Sequence, residues 1–177
     1  MNRLMLLLVT ITAVSAGKMY CGIVKLIAEN PKQADVTGDI TFIQDVGNST
    51  VHIIGTINGL TPGKHGFHVH EKGDMRQGCI SAGSHYNPTQ QSHGGPTASE
   101  RHVGDLGNIE ADAHGIANID IYDNIITLNG RHSVIGRSVV VHAGEDDLGE
   151  GHESDSLTTG HSGGRVACGI IGILQTP

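Results

Sequence analysis

Short apolar runs that alternate in polarity, each cut off by a turn, limit what this chain can become more than any other feature. Residues 36–45 (VTGDITFIQD) alternate, Gly47-Asn48 supplies a turn, and residues 51–58 (VHIIGTIN) run back. Period two on both sides of a turn reads as a β-hairpin. Further strands are predicted at residues 20–28, 64–70, 106–111, 115–122, 138–142 and 164–174, and no stretch carries a convincing helical period. The chain has 177 residues, enough for one domain with a sizeable core. Aromatics make up only 3% and Trp is absent, so that core must be aliphatic, while 26 glycines imply many turns and bulges. Together these features predict an all-β, antiparallel sandwich or barrel without an internal domain boundary.

Two segments break the rule of short turns. Residues 71–104 and 143–163 are long and weakly patterned, and long irregular connections in compact domains are usually functional or disordered. The first begins just after an H-x-H pair, His68 and His70, in an alternating run, and leads through His85, His93 and His102 to Asp105. In a strand, residues two apart share a face, roughly 6.5 Å apart, so both imidazoles can converge on one ion. Imidazole suits copper and zinc, and a carboxylate is an ordinary additional ligand for zinc. One H-x-H alone would be a polar decoration; five histidines and an aspartate at close intervals favour metal binding. The second long segment follows His142, is rich in acids (GEDDLGEGHESDS) and ends before Arg165.

The two ends and the charge narrow the setting. Met1-Asn2-Arg3, an apolar run over residues 4–14 and the small residues Ser15-Ala16 read as a secretory signal peptide over 1–16, leaving 17–177 as the mature domain. The run is too short to span a bilayer, and no other segment could span. A formal charge of −7 and no cluster of Lys or Arg argue against nucleic-acid binding. An oxidising compartment permits a disulfide among Cys21, Cys79 and Cys168. Pairing Cys79 with Cys168 would close a loop of about 90 residues, worth roughly 4–5 kcal/mol in the chain-entropy model. The alternative is that any of the three is a small buried hydrophobe; Cys21, in the first strand, is the candidate for the unpaired one. Asn48-Ser49-Thr50 is an N-glycosylation sequon at a turn.

The motifs GFHVHEKGD, AGSHYNP, HGGP, ERHVGDLGN, VVVHAGEDDLG and GGRVACGIIG stand in the order found in copper/zinc superoxide dismutases. The resemblance covers nearly all of the chain from Cys21 onward. It implies an eight-stranded antiparallel Greek-key barrel with two long functional loops, a sandwich-type architecture. It also implies a secreted antioxidant enzyme that turns superoxide into oxygen and hydrogen peroxide by cycling copper between Cu(II) and Cu(I), with zinc as structural and electrostatic partner. Carried over residue by residue, copper takes His68, His70, His85 and His142, and zinc takes His85, His93, His102 and Asp105, with His85 shared. Asp146 becomes the carboxylate that links His68 to His93 behind the metals. Arg165 becomes the residue that holds the superoxide anion, Thr159 narrows the channel mouth, and the family disulfide falls on Cys79 and Cys168. His65 matches a position that packs beneath the site.

This sequence departs from the family in its channel cations. The lysine often found just before Thr159 is Thr158 here, and the lysine usual just after the last copper histidine is replaced by Ala143-Gly144. Cations in a cleft raise the on-rate of anions in a salt-sensitive way, so weaker steering is expected. A copper-delivery module with the same barrel tends to lack some copper ligands or the arginine, both retained here, and a secreted metal buffer has no need of Arg165. The resemblance implies a homodimer or a larger assembly; Ile170, Ile171 and Ile173 could serve that interface or the core, and alternation would split them between the two.

Overall fold

The computed structural model describes residues 17–30 and 35–177; the leader expected at 1–16 lies outside the described residues. Eight strands follow one path of hydrogen-bonded neighbours, β6-β4-β8-β9-β1-β2-β3-β7. These are β1 (Met19–Ala28), β2 (Thr37–Asp45), β3 (Val51–Asn58), β4 (Gly63–His70), β6 (Asp105–Ala111), β7 (Ala117–Asp123), β8 (Ser138–His142) and β9 (Arg165–Ile170). All their pairings are antiparallel. The path ends on β6 and β7, consecutive strands packed together, so the sheet curls into a nearly closed barrel. Two short strands complete the set: β5 (Arg76–Cys79) in the first long loop, and β10 (Gly172–Gln175), which pairs with β1.

Alternation does what the sequence predicts on β2, where Gly38, Ile40, Phe42 and Gln44 point inward and are buried. The core is largely aliphatic, with Phe42, Phe67 and Tyr86 as its buried aromatics and Leu26, Ile40, Ile53, Ile57 and Val141 fully buried. Strands β4 and β8 behave differently: both of their faces are buried. Phe67, Val69, Val139 and Val141 enter the core. Gly66, His68, His70, Val140 and His142 point the other way, yet are as buried, because the two long loops fold over that side. At Gly66 a Cβ would meet Ser162 of the second loop at 2.8 Å, which shows how close that cover lies.

The structure revises three expectations. The strand expected over 164–174 is two strands, because Ile171 leaves the ladder: its N–H donates to Arg137 O and its carbonyl accepts from Gly136. Ile171 is thereby fully buried, while Ile170 and Ile173 on either side are 41% and 64% exposed. The strand expected from residue 115 begins at Ala117, since Asp112 Oδ1 accepts from the amides of His114 and Ile116 and holds them in the turn. The long loops also carry regular pieces the pattern did not predict: β5, a 3-10 turn at Ile80–Ala82 and one helical turn, α1 (Ser156–Thr159).

Candidate metal centre

His68 and His70 stand on one face of β4 by the period of the strand, and His142 ends the neighbouring β8. Register slips lie beside both, between Gly66 and His68 and between Val141 and His142. Bulges of this kind re-aim side chains near functional sites. His85 joins them through a single bridge to His70. His93 and His102 come from irregular chain, and Asp105 opens β6. The result is two four-membered groups, His68, His70, His85 and His142, and His85, His93, His102 and Asp105. All members are buried, and within each group the potential donor atoms lie within 4.8 Å of one another.

Hydrogen bonds on the outer side of each ring fix which nitrogen faces inward. His70 Nδ1 donates to Gly83 O at 2.8 Å and His142 Nδ1 to Gly163 O at 3.1 Å, leaving their Nε2 atoms 3.4 Å apart inside. His68 Nε2 donates to Asp146 Oδ2 at 2.8 Å, so its Nδ1 faces the cluster. His85 presents Nδ1 to Asp105 Oδ1 at 2.8 Å and turns Nε2 toward the copper-type group. Buried and without a hydrogen-bond partner are His68 Nδ1 and His85 Nε2, while His93 Nδ1 meets only the Asp105 carboxylate, at 3.0 Å. Each such orphan costs about 1–3 kcal/mol unless something pairs with it. A cation is the partner that inward lone pairs require. An all-imidazole group suits copper, and three imidazoles with one carboxylate suit zinc, so the donor sets fit both ions.

Asp105 is the hub of the second group. Its Oδ1 also lies 3.1 Å from His102 Nδ1, and its Oδ2 lies 3.0 Å from His93 Nδ1 and accepts the His102 amide at 2.8 Å. Burial alone would raise this carboxyl, but contacts with His102, His85 and His93 hold it far below the usual carboxylate range. Asp146 spans both groups, with Oδ2 on His68 and Oδ1 on His93 Nε2, each at 2.8 Å. Gly160, at φ +66°, has no Cβ because one would collide with this carboxylate. The histidines therefore divide electrostatically. Burial, reinforced by the charge on neighbouring rings, lowers His68 to about 3 and His142 to about 4. Burial also pulls on His93, yet Asp105 and Asp146 outweigh it and raise this ring to about 9.

A cleft of about 830 Å³ opens onto His70, His85, His102 and His142, with Arg165, Thr158 and Thr159 in its wall. Arg165 is braced from behind: Nη1 donates to the carbonyls of Cys79 and Ile80, and Nη2 to that of Gly83. Cys79 and Cys168 form a disulfide with Cα atoms 5.6 Å apart, tying the first loop to β9, and Cys21 is free and buried. His65 sits beneath the site, bonded to the carbonyls of His142 and Thr61 at 2.8 Å each. Asn48 is exposed, and its Oδ1 accepts the Thr50 amide at 3.0 Å.

Two supporting residues escaped the sequence reading. Asn108, on β6, brackets the backbone of Asp146, accepting its N–H and donating to its C=O at 2.8 Å each. Arg101 is buried, paired with Asp123 at 2.8 Å and donating to Pro96 O and Val103 O, so it stitches the His93–His102 segment together. Asn108 sits within ERHVGDLGN and Arg101 beside His102, and that adjacency was the only available signal.

Comparison with known proteins meets the same picture. The family model for copper/zinc superoxide dismutase (SODC) matches residues 36–171. The extracellular superoxide dismutase [Cu-Zn] of Drosophila melanogaster is 54% identical over 146 residues, covering 81% of each chain. Superoxide dismutase [Cu-Zn] 2 of Mesembryanthemum crystallinum is 51% identical over 153 residues, 86% of this chain and 97% of the relative. The extracellular superoxide dismutase [Cu-Zn] of Brugia pahangi is 56% identical over 142 residues, 78% of this chain and 70% of the relative. With a nearly closed β barrel, two histidine groups sharing His85 and a matched stretch of this length, the chain belongs to the copper/zinc superoxide dismutase family.

Proposed function

We propose that this protein is a secreted enzyme that disproportionates two superoxide anions and two protons into dioxygen and hydrogen peroxide. Copper would be held by His68, His70, His85 and His142, and zinc by His85, His93, His102 and Asp105. The observation that carries this reading is the His85 ring, which offers one nitrogen to each donor group, Nδ1 beside Asp105 and a buried, unpartnered Nε2 on the other side. When bound, copper supplies a one-electron couple and zinc a fixed positive charge without redox activity.

The residues do the rest. Arg165, braced by three carbonyls in the cleft wall, presents a rigid guanidinium that orients a small anion. Thr159 narrows the approach, and the loops exclude bulk water from His68 and His70, both essentially buried. His85 Nε2 is the atom placed to take up and return the proton that peroxide needs. Asp146 keeps the His68 and His93 rings oriented through their outer nitrogens.

Superoxide consumption by metal-loaded protein, compared with Arg165→Ile, tests the reading. Turnover that falls at least about 10-fold in the variant is expected for a lost anion anchor. Absence of turnover in both proteins rejects the enzyme, and equal turnover rejects only the role of Arg165.

We also infer a homodimer. Ile23, Ile27, Ile170, Ile173 and Leu174 are exposed on β1, β9 and β10, which are hydrogen-bonded neighbours. Sedimentation showing only monomer at micromolar concentration rejects that, and a larger species replaces the dimer with a higher assembly. Cleavage after Ala16 and a glycan on Asn48 complete the proposal. Mass spectrometry of protein from culture medium reads both.

A further inference from the structure

One acid of the cleft wall is paired with a histidine. Asp155 lines the cleft, and its Oδ1 lies 2.7 Å from Nδ1 of His161, while its Oδ2 accepts the Thr159 hydroxyl at 3.0 Å. His161 follows Gly160 at the end of α1 and holds a left-handed backbone, φ +49°. A side chain other than glycine is strained there, so the loop fixes where the ring emerges. Thr158, also in the cleft wall, is uncharged. Among the described residues that line the cleft, Arg165 is the only Lys or Arg and Asp155 the only acid.

We propose that His161 is the charge-setting residue of the channel: protonated, it cancels Asp155 at the rim; neutral, it leaves Asp155 to repel the incoming anion from Arg165. The proposal rests on superoxide, or any small anion, entering this cleft. The geometry needs no movement, since the ring and the carboxylate already touch. The hydrogen bond to Asp155 is the largest influence on His161 and raises it above the ordinary 6.5, with Glu153 and Asp147 adding to the effect. The same contact, with that from Thr159, holds Asp155 below the ordinary carboxylate range. Acids facing His161 are thus Asp155, Glu153 and Asp147, all in its own loop. The imidazolium is present below its raised pKa and lost above it. Anion entry therefore weakens as pH rises, over a range above 6.5 and not centred on it.

The test uses the metal-loaded protein, wild type, His161→Gln and Asp155→Asn, at low ionic strength. Azide, a monovalent anion that is not consumed, reports affinity at each pH, superoxide consumption reports rate, and NMR follows the His161 ring. In wild type, azide affinity and rate should fall about twofold across the pH range in which His161 titrates. His161→Gln should remove that step and hold the lower value throughout. Asp155→Asn should move the His161 titration toward ordinary values and raise affinity at high pH. Superimposable azide profiles for wild type and His161→Gln overturn the proposal, as does a His161 titration that ignores Asp155. Azide binding that follows His161 in a protein without superoxide turnover upholds the charge-setting role and rejects the enzyme.

Discussion

Around the shared ring of His85, the two donor groups are held by different means. His68, His70 and His142 stand on β4 and β8, strands with ladders on both sides and both faces buried. His93 and His102 stand on irregular chain held by the side chains of Asp105, Asp146 and the buried pair Arg101–Asp123 and by isolated backbone bonds such as that from the His93 amide to Leu157 O. The strand-borne group keeps its shape because the barrel makes it. The loop-borne group keeps its shape only while charged and hydrogen-bonded partners hold it, so disturbance should reach it first.

The largest way to press that contrast is to cut the tether. Replacing Cys79 and Cys168 together by Ser is expected to cost about 2–5 kcal/mol in denaturant unfolding of the loaded protein. Amide exchange should rise across residues 80–104 and hardly at all in β4 and β8. Equal loss of protection in strands and loops would show the contrast to be false.

Asp146→Asn comes next. Removing the carboxylate that orients His68 and His93 should weaken metal binding about 10–100-fold, as expected when an outer partner is lost. The loss should be greater on the zinc side, because His68 has β4 to hold it and His93 has no strand. Chelator competition for each ion reads the two losses, and equal losses would remove the distinction.

A smaller effect lies in pH. In the metal-free protein His68 and His142 are lowered to about 3 and about 4, so the unfolded chain binds their protons more readily. Their contribution is present above the ordinary value of 6.5 and is lost as pH falls through 4 and then 3. His93, raised to about 9, has the opposite sign: its contribution is present below 6.5 and is lost as pH climbs to about 9. Thermal melts without metal should thus weaken in alkali through the loop side, and His93→Gln should erase that alkaline limb alone. A limb that survives the substitution would assign it elsewhere.

The smallest expected change is Thr158→Lys. A fixed cation in the cleft wall should raise superoxide consumption about twofold at low salt and much less at high salt, since it is exposed and screened. A gain that persists at high salt would mean the residue acts by contact and not through its field.

What could be read in the sequence follows the same division. His68 and His70 were legible because a strand's period places them together, and the β2–β3 hairpin was legible through its alternation and its Gly47 turn. His93, His102 and Asp105 have no period: their close spacing pointed to metal binding, and only the family motifs assigned them to one ion. Asn108 bonded to Asp146 and Arg101 bonded to Asp123 link positions 38 and 22 residues apart, and no local pattern announces such contacts. The break at Ile171 was hidden for a related reason. It depends on the backbone of Gly136 and Arg137 standing opposite, while the run itself, GIIGIL, reads as continuous strand.

The backing of Arg165 has one more implication. The carbonyls that receive its guanidinium belong to Cys79, Ile80 and Gly83, the short turn moored to β9 by the sulfur bridge. In the double serine variant that turn is free to drift, and the arginine loses its backstop while β9 beneath it stays in place. Substrate handling should then degrade before the barrel opens, which makes the oxidation state of two sulfurs a condition for activity as well as for stability.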